Sequence, residues 1–320
     1  MSRLSVSVEA LPDLIIDPHS LWISCHGYES RSTHHLEVLP VGKGGRISCG
    51  FDFPSEDHDS DVGRRISTAR QQLREAGFET PVTDDAGFEE LVGGRLASAL
   101  GVNGYHVVAD ISSMSRARIA SLLLACSNVA SNGVCTLDIV YFPSSYQTHK
   151  HDYEPLESFG PCHGQIAGWP DDPRLPLALL VGLGTEPRRA DGVLEMVEPA
   201  ILAVFVPLGD EDNYVTEIRR ENRRVLEVGG EPVMYSLRDP RGCYLTLLNA
   251  ATRLAERSRL VIVPLGPKIF CAASIAAALA IGPEVGVWKA SAGRRVQPID
   301  VHAHGAPILM RVVFGPPGHK

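Results

Sequence analysis

Two short segments hold the residues best suited to chemistry. His26-Gly27-Tyr28-Glu29-Ser30-Arg31 places a carboxylate two residues from a guanidinium, directly after an apolar strand and a glycine. Asp110-Ile111-Ser112-Ser113-Met114-Ser115-Arg116 places an acid at the end of the apolar run His106-Val-Val-Ala, with hydroxyls and an arginine behind it. An acid ending an apolar strand is partly desolvated and suits a general base or a water-activating role. Glu29 can supply an anion beside a developing positive charge. Tyr28 can stack on a base, while Arg31, Ser112, Ser113 and Arg116 can donate to phosphate or base. Each feature has a plainer alternative: Glu29 as an acid at a helix start, Asp110 as a helix cap, the serines as ordinary caps.

The first segment has a second copy. Gly27, Glu29 and Arg31 recur as Gly184, Glu186 and Arg188, 157 residues on, with Leu36-Glu37-Val38 echoed by Leu194-Glu195-Met196. The elements downstream of each copy also match in order, so the chain reads as α/β, two tandem Rossmann-like halves with doubly wound, mainly parallel sheets, related by internal duplication. The expected divisions are 1–142, a Pro-rich linker over 143–176, and 177–320 with a C-terminal strand extension. In such sheets ligands collect beyond the carboxyl ends of the strands. The segments named above fall there, as do Glu56–Asp61, Gly209–Asn213 and Leu265–Lys268. Where the first copy has Asp110, Ser112, Ser113 and Arg116, the second offers Gly266, Pro267 and Lys268, so catalysis is expected in the first. A binding role shared by both halves would instead draw on Glu186, Arg188 and Lys268 as well.

Composition narrows the classes. With 44% hydrophobic and 21% charged residues over 320 positions, the chain can fill two cores of roughly 150 residues each. A formal charge of -8 argues against a general electrostatic hold on nucleic acid, although Arg219–Arg224 forms a local basic run. Seven cysteines without CxxC spacing suggest reduced thiols rather than disulfides or zinc. His34-His35, His58, His149, His151, His302 and His304 lack the i, i+4 spacing of a helical zinc site; His302 and His304 would share one face of a strand. Gly182-Leu-Gly184 and Gly42–Gly45 lack the dinucleotide and phosphate-loop fingerprints, so no cofactor and no metal are expected. No apolar stretch reaches membrane-spanning length and no basic leader precedes an apolar run, so a cytoplasmic protein without a membrane partner is expected.

Gly27–Ser32 together with Asp110–Arg116 resembles a pattern of bacterial antiviral-defence proteins, some of which are similar to antiphage DNA glycosylases. That resemblance covers two loops and implies hydrolysis of an N-glycosidic bond in DNA or nucleotides, with Glu29 and Asp110 as the catalytic pair. The tandem architecture also resembles the CARF and SAVED sensors of cyclic oligonucleotides. That likeness implies a nucleotide ligand held between the halves and a separate effector protein as partner.

Overall fold

The computed structural model of the chain describes residues 4–42, 44–51, 60–98, 104–145, 156–169, 172–210, 212–291 and 300–316. Two units divide them. One holds residues 2–145 together with 297–320, the other 146–296.

In the first unit, four parallel strands form the centre of a six-stranded sheet: β2 (Leu21–His26), β3 (Arg46–Gly50), β4 (Tyr105–Asp110) and β5 (Cys135–Tyr141). β1 (Ser5–Ala10) and β12 (Ile308–Gly315) complete it in the order β1-β12-β5-β4-β2-β3, both added antiparallel. Bridges from Glu79 and Val82 extend the β3 edge, where the sequence pattern predicts a short third strand over 78–83. Helices α1 (His35–Val38), α2 (Asp61–Glu75), α3 (Asp85–Ser98) and α4 (Arg116–Val129) connect the strands. Ser60 and Ser115 cap α2 and α4 by accepting the N–H groups of Gly63 and Arg118, so Ser115 is a cap.

The second unit repeats this plan. Its sheet runs β6-β11-β10-β7-β8-β9, from β6 (Ser158–Pro161), β7 (Leu177–Gly182), β8 (Ile201–Leu208), β9 (Val233–Ser236), β10 (Arg259–Pro264) and β11 (Gly286–Ser291). α5 (Arg189–Val197), α6 (Asp212–Glu221), α7 (Arg223–Gly229), α8 (Pro240–Ala255) and α9 (Lys268–Ile281) flank it. Counted along each repeat, both sheets place the third strand outermost, then the second, first, fourth and fifth, then an antiparallel strand. The central strand is β2 in one and β7 in the other, and each crevice of the topological switch lies beside it.

Four elements depart from what the sequence pattern predicts. The sequence pattern predicts a helix over 31–39, broken by Pro40; the structure has a 3-10 turn (Ser30–Ser32) followed by the four-residue α1. The sequence pattern predicts one helix over 213–227; it breaks at Asn222, whose buried amide donates to the carbonyls of Ile218 and Gly184. The C-terminal strand joins the sheet of the first unit, and the linker segment supplies β6 to the second.

Side-chain chemistry fixes that C-terminal strand. Arg311 of β12 donates twice to the fully buried Asp138 of β5, at 2.6 and 2.8 Å, and His106 Nε2 lies 2.9 Å from the same carboxylate. Burial alone would raise the Asp138 pKa. The bonds from Arg311 and His106 outweigh it and hold the carboxyl below its usual range. On the other face, the buried Arg118 gathers the carbonyls of Cys49, Gly50 and Thr83 at 3.2, 3.2 and 2.5 Å, with Phe51 and Phe88 over its guanidinium. Because Asp138 is lowered, its stabilisation is full at neutral pH and lost as pH falls through the folded value. Arg311→Met should therefore lower stability by about 3 kcal/mol at pH 7. The gap from wild type should narrow in acid; urea unfolding at both pH values checks it.

Candidate functional site

Alternation along β2 sends Trp22, Ser24 and His26 to one face and Leu21, Ile23 and Cys25 to the other. Register then sets Ser24 between Ser48 of β3 and Asp110 of β4, forming a polar row across the sheet. All three are buried. Asp110 Oδ1 accepts the Ser112 N–H at 2.9 Å, and Oδ2 lies 3.0 Å from Nδ1 of His35, a fully buried residue. The His35 ring stacks on Trp22, with centroids 5.6 Å apart, and meets Phe78 at 5.7 Å. In the first unit five enclosed polar atoms have no hydrogen-bond partner among the described residues: Trp22 Nε1, Ser24 Oγ, Ser32 Oγ, His35 Nε2 and Ser113 Oγ. Such groups are uncommon in protein interiors and mark places where function competes with packing.

Glu29 begins the 3-10 turn after β2 but does not cap it. Its Oε2 accepts from Arg31 Nε at 2.7 Å, and the two side chains are 19% and 8% exposed. Burial works against the Arg31 charge, but Glu29, with Tyr141 and Asp110 further off, outweighs it and holds the guanidinium proton more firmly than usual. Asp300 locks the turn: it accepts the Ser30 N–H and hydroxyl, both at 2.7 Å, and Val301 O accepts the Arg31 N–H. Burial would raise Asp300; the Ser30 bonds prevail and lower it. Tyr28 is partly buried in the same turn, and Arg116 partly buried as the first residue of α4. Ser112 has a structural job, since its Oγ accepts the Phe142 N–H at 2.8 Å and ties the loop to the end of β5. Glu29, Arg31, Asp110, Ser112 and Ser113 are thus gathered at the carboxyl ends of β2 and β4.

The second unit treats the same positions differently. Ser24 lies opposite Ser48 and Asp110, and Val181 lies opposite Val204 and Val263. The polar row of one half is a valine row in the other. His26 corresponds to Leu183 by the 157-residue offset, and His35 to Val193 through the Leu-Glu pair after each. All five apolar counterparts belong to one buried cluster. The switch point is closed as well: Gly182 O accepts the N–H groups of both Leu265 and Gly266, at 2.8 and 3.0 Å. A Cβ at Gly184 would fall 2.9 Å from Leu265 O, and one at Gly266 would fall 2.3 Å from Leu183 O, so only glycine permits this closure. No backbone bond joins the corresponding loops of the first unit among the described residues.

Arg188 and its neighbour Arg189 face different surroundings. Arg188 is exposed, in the left-handed conformation at φ 53°, 3.6 Å from Asp191. Arg189 turns inward instead, 3.7 Å from Glu186, with Nε and Nη1 lacking hydrogen-bond partners among the described residues. Lys268 opens α9, partly buried. Three of the four arginines in the basic run are ion-paired locally: Arg220 with Glu217 and Glu221, Arg223 with Glu227, and Arg224 with Glu195. Asp210 of the 209–213 loop pairs with Arg238, and most of the acidic loop 56–61 lies outside the described residues, as do His58, His149 and His151. Among the described residues no group of three or more His, Cys, Asp or Glu is placed to hold a metal ion. Nor is any helix there long and apolar enough to cross a membrane.

Sequence reasoning gave Asp300 and Arg189 no role, named His26 only as the first residue of its segment, and weighed His35 only as a metal ligand. For His26 and His35 the signal existed in the repeat, as polar residues standing where the other copy has Leu183 and Val193. Asp300 gave none, being 270 residues from Ser30.

No protein family matches the chain, and no curated protein does. Among solved structures, the crystal structure of the cytoplasmic domain of a prokaryotic cation chloride cotransporter is similar at 10% identity and a TM-score of 0.24, over 85% of this chain and 95% of that one. A likeness of that size bears on neither fold nor function.

His26 gives this face a pH signature. Burial chiefly, then the nearby Arg70, lower its pKa from 6.5 to about 4. The unfolded chain therefore takes up the proton first as pH falls, so stability is full above about 6.5 and drains away toward about 4. His26→Leu, the residue of the second half, should remove about 3 kcal/mol of that acid-side loss. Unfolding free energies at pH 7 and pH 4.5 test it; an unchanged slope in the variant would contradict the assignment.

Proposed function

We propose that the first half hydrolyses an N-glycosidic bond at the crevice beyond β2 and β4, and that its substrate is a modified base in DNA, removed in antiphage defence within the cytoplasm. The observation that carries this reading is the polar row itself. One half of a duplicated fold keeps Ser24, Ser48, Asp110 and His35 buried where the other half packs valines. The resemblance of Gly27–Ser32 and Asp110–Arg116 to defence glycosylases supports the choice of reaction.

The reaction passes through a cationic, oxocarbenium-like sugar. Glu29 is the carboxylate suited to face it: it retains exposure, and its Oε1 makes no bond among the described residues, while Arg31 holds Oε2. Asp110 is enclosed with both oxygens engaged, so its part is to orient. Tyr28 offers a stacking surface for an extruded base, and Arg31, Ser113 and Arg116 offer donors to phosphate or to the leaving base. Since the arginine run of α6 and α7 is largely ion-paired and the net charge is negative, the grip on DNA is local, on the nucleotide that enters the site.

A second reading, a CARF- or SAVED-like module that binds a cyclic nucleotide and signals to an effector protein, is favoured by one observation. Arg189 beside Glu186 gives the second half a largely enclosed guanidinium whose Nε and Nη1 have no hydrogen-bond partner among the described residues. Lys268 and Glu186 would then belong to the binding set. On that reading Arg189→Met abolishes a thermal shift by cyclic oligoadenylate as fully as Arg31→Met does.

Incubation with plain and base-modified phage DNA, followed by alkali, tests the hydrolase. Breaks and released base are expected on modified DNA only, and Glu29→Gln should slow release by about 10²- to 10³-fold. Folded protein that leaves every DNA intact would reject the reading.

A further inference from the structure

Three histidines reach the polar face of the first sheet, and two have both ring nitrogens occupied. His106 lies between Ser20 Oγ at 2.8 Å and Asp138 at 2.9 Å. His26 lies between Ser48 Oγ at 3.2 Å and Arg70 Nε at 3.5 Å. His35 has Asp110 on Nδ1 alone; its Nε2 is fully enclosed and has no partner among the described residues. A histidine retained only to pin α1 to β4 needs no second nitrogen, and the counterparts Val193 and Val263 show that this plan packs there without any polar pair.

We infer that His35 is the proton acceptor of the site, with Asp110 as the positioning residue that sets its tautomer. The inference rests on the hydrolase reading above. A carboxylate only accepts hydrogen bonds, so Asp110 Oδ2 requires the proton on Nδ1. The lone pair of the neutral ring is then on Nε2. The Ser112 N–H fixes the carboxylate from behind, and the stacking on Trp22 fixes the plane of the ring. Nε2 is enclosed and has no partner among the described residues, so on this inference the hydrogen bond it accepts is left to a water or substrate group bound beside it. In the reaction, the oxygen of a bound water bonds to C1′ as the C1′–N bond breaks. The electron pair of that bond leaves with the base nitrogen. The proton from the water passes to Nε2, and the imidazolium then returns it to the departing base nitrogen. No oxidant, reductant or second substrate is needed.

The test compares wild type, His35→Gln, His35→Ala and Asp110→Asn for base release from a base-modified oligonucleotide, alongside ¹⁵N NMR of histidine-labelled protein. Gln keeps an N–H for Asp110 but cannot take a proton, so a merely structural role would survive it. His35→Gln is expected to lose about 10²- to 10⁴-fold in rate. Added imidazole should restore part of the activity of His35→Ala. The wild-type spectrum should show Nε2 unprotonated and Nδ1 protonated, and Asp110→Asn should disturb that tautomer. A wild type that releases base while His35→Gln does so undiminished would overturn this inference alone, as would a proton found on Nε2. A wild type that releases no base from any DNA would reject the hydrolase reading and this role with it.

Discussion

The site depends on the register of one strand. β2 lies between β3 and β4 so that residues 24, 48 and 110 stand side by side on one face. A slip of one residue in β2 would turn Trp22, Ser24 and His26 to the opposite face and bring Ile23 and Cys25 into their place. The same register in the second half lines up Val181, Val204 and Val263. The chemistry of the site derives from that shared alignment, because it makes the two rows comparable position by position.

The comparison separates what the fold requires from what it carries. Burying hydroxyls, a carboxylate and an imidazole costs free energy unless each is bonded, and several here are not. A valine at the same position contributes burial at no such cost. The second half shows that the architecture closes well on apolar residues, even drawing the ends of β7 and β10 together through Gly182, Gly184 and Gly266. The first half leaves that junction unbridged among the described residues and lines it with Glu29, Arg31, Asp110 and Ser113. Such a division of labour is what a duplicated fold permits: one copy stabilised by packing, the other holding a less stable constellation at its switch point.

Much of this was legible in the sequence, and the rest was hidden for physical reasons. The repeat of Gly, Glu and Arg pointed to two halves, and the apolar run ending in Asp110 located the strand end and its loop. The sequence could not show that Arg189 rather than Arg188 would turn inward, because that depends on a left-handed residue at 188. It could not bring Asp300 to Ser30 or β12 to β5, since contacts across such distances along the chain leave no local pattern. His35 was readable in principle. At its place in the repeat stands Val193, and a histidine in an apolar position signals either a partner or a task. The geometry supplies the partner, Asp110, and leaves one nitrogen over.

On the hydrolase reading proposed above, the polar set of the first half is kept for function at the expense of stability. This trade is tested most directly by giving the first half the core of the second. In a variant carrying Ser24→Val, Ser48→Val, Asp110→Val and His35→Leu, the leucine chosen to fill the space beside Trp22 and Phe78, thermal unfolding and base release are measured together. The account predicts a folded protein at least as stable as wild type, and no release of base. A variant that unfolds at markedly lower temperature, or that goes on releasing base, would contradict it.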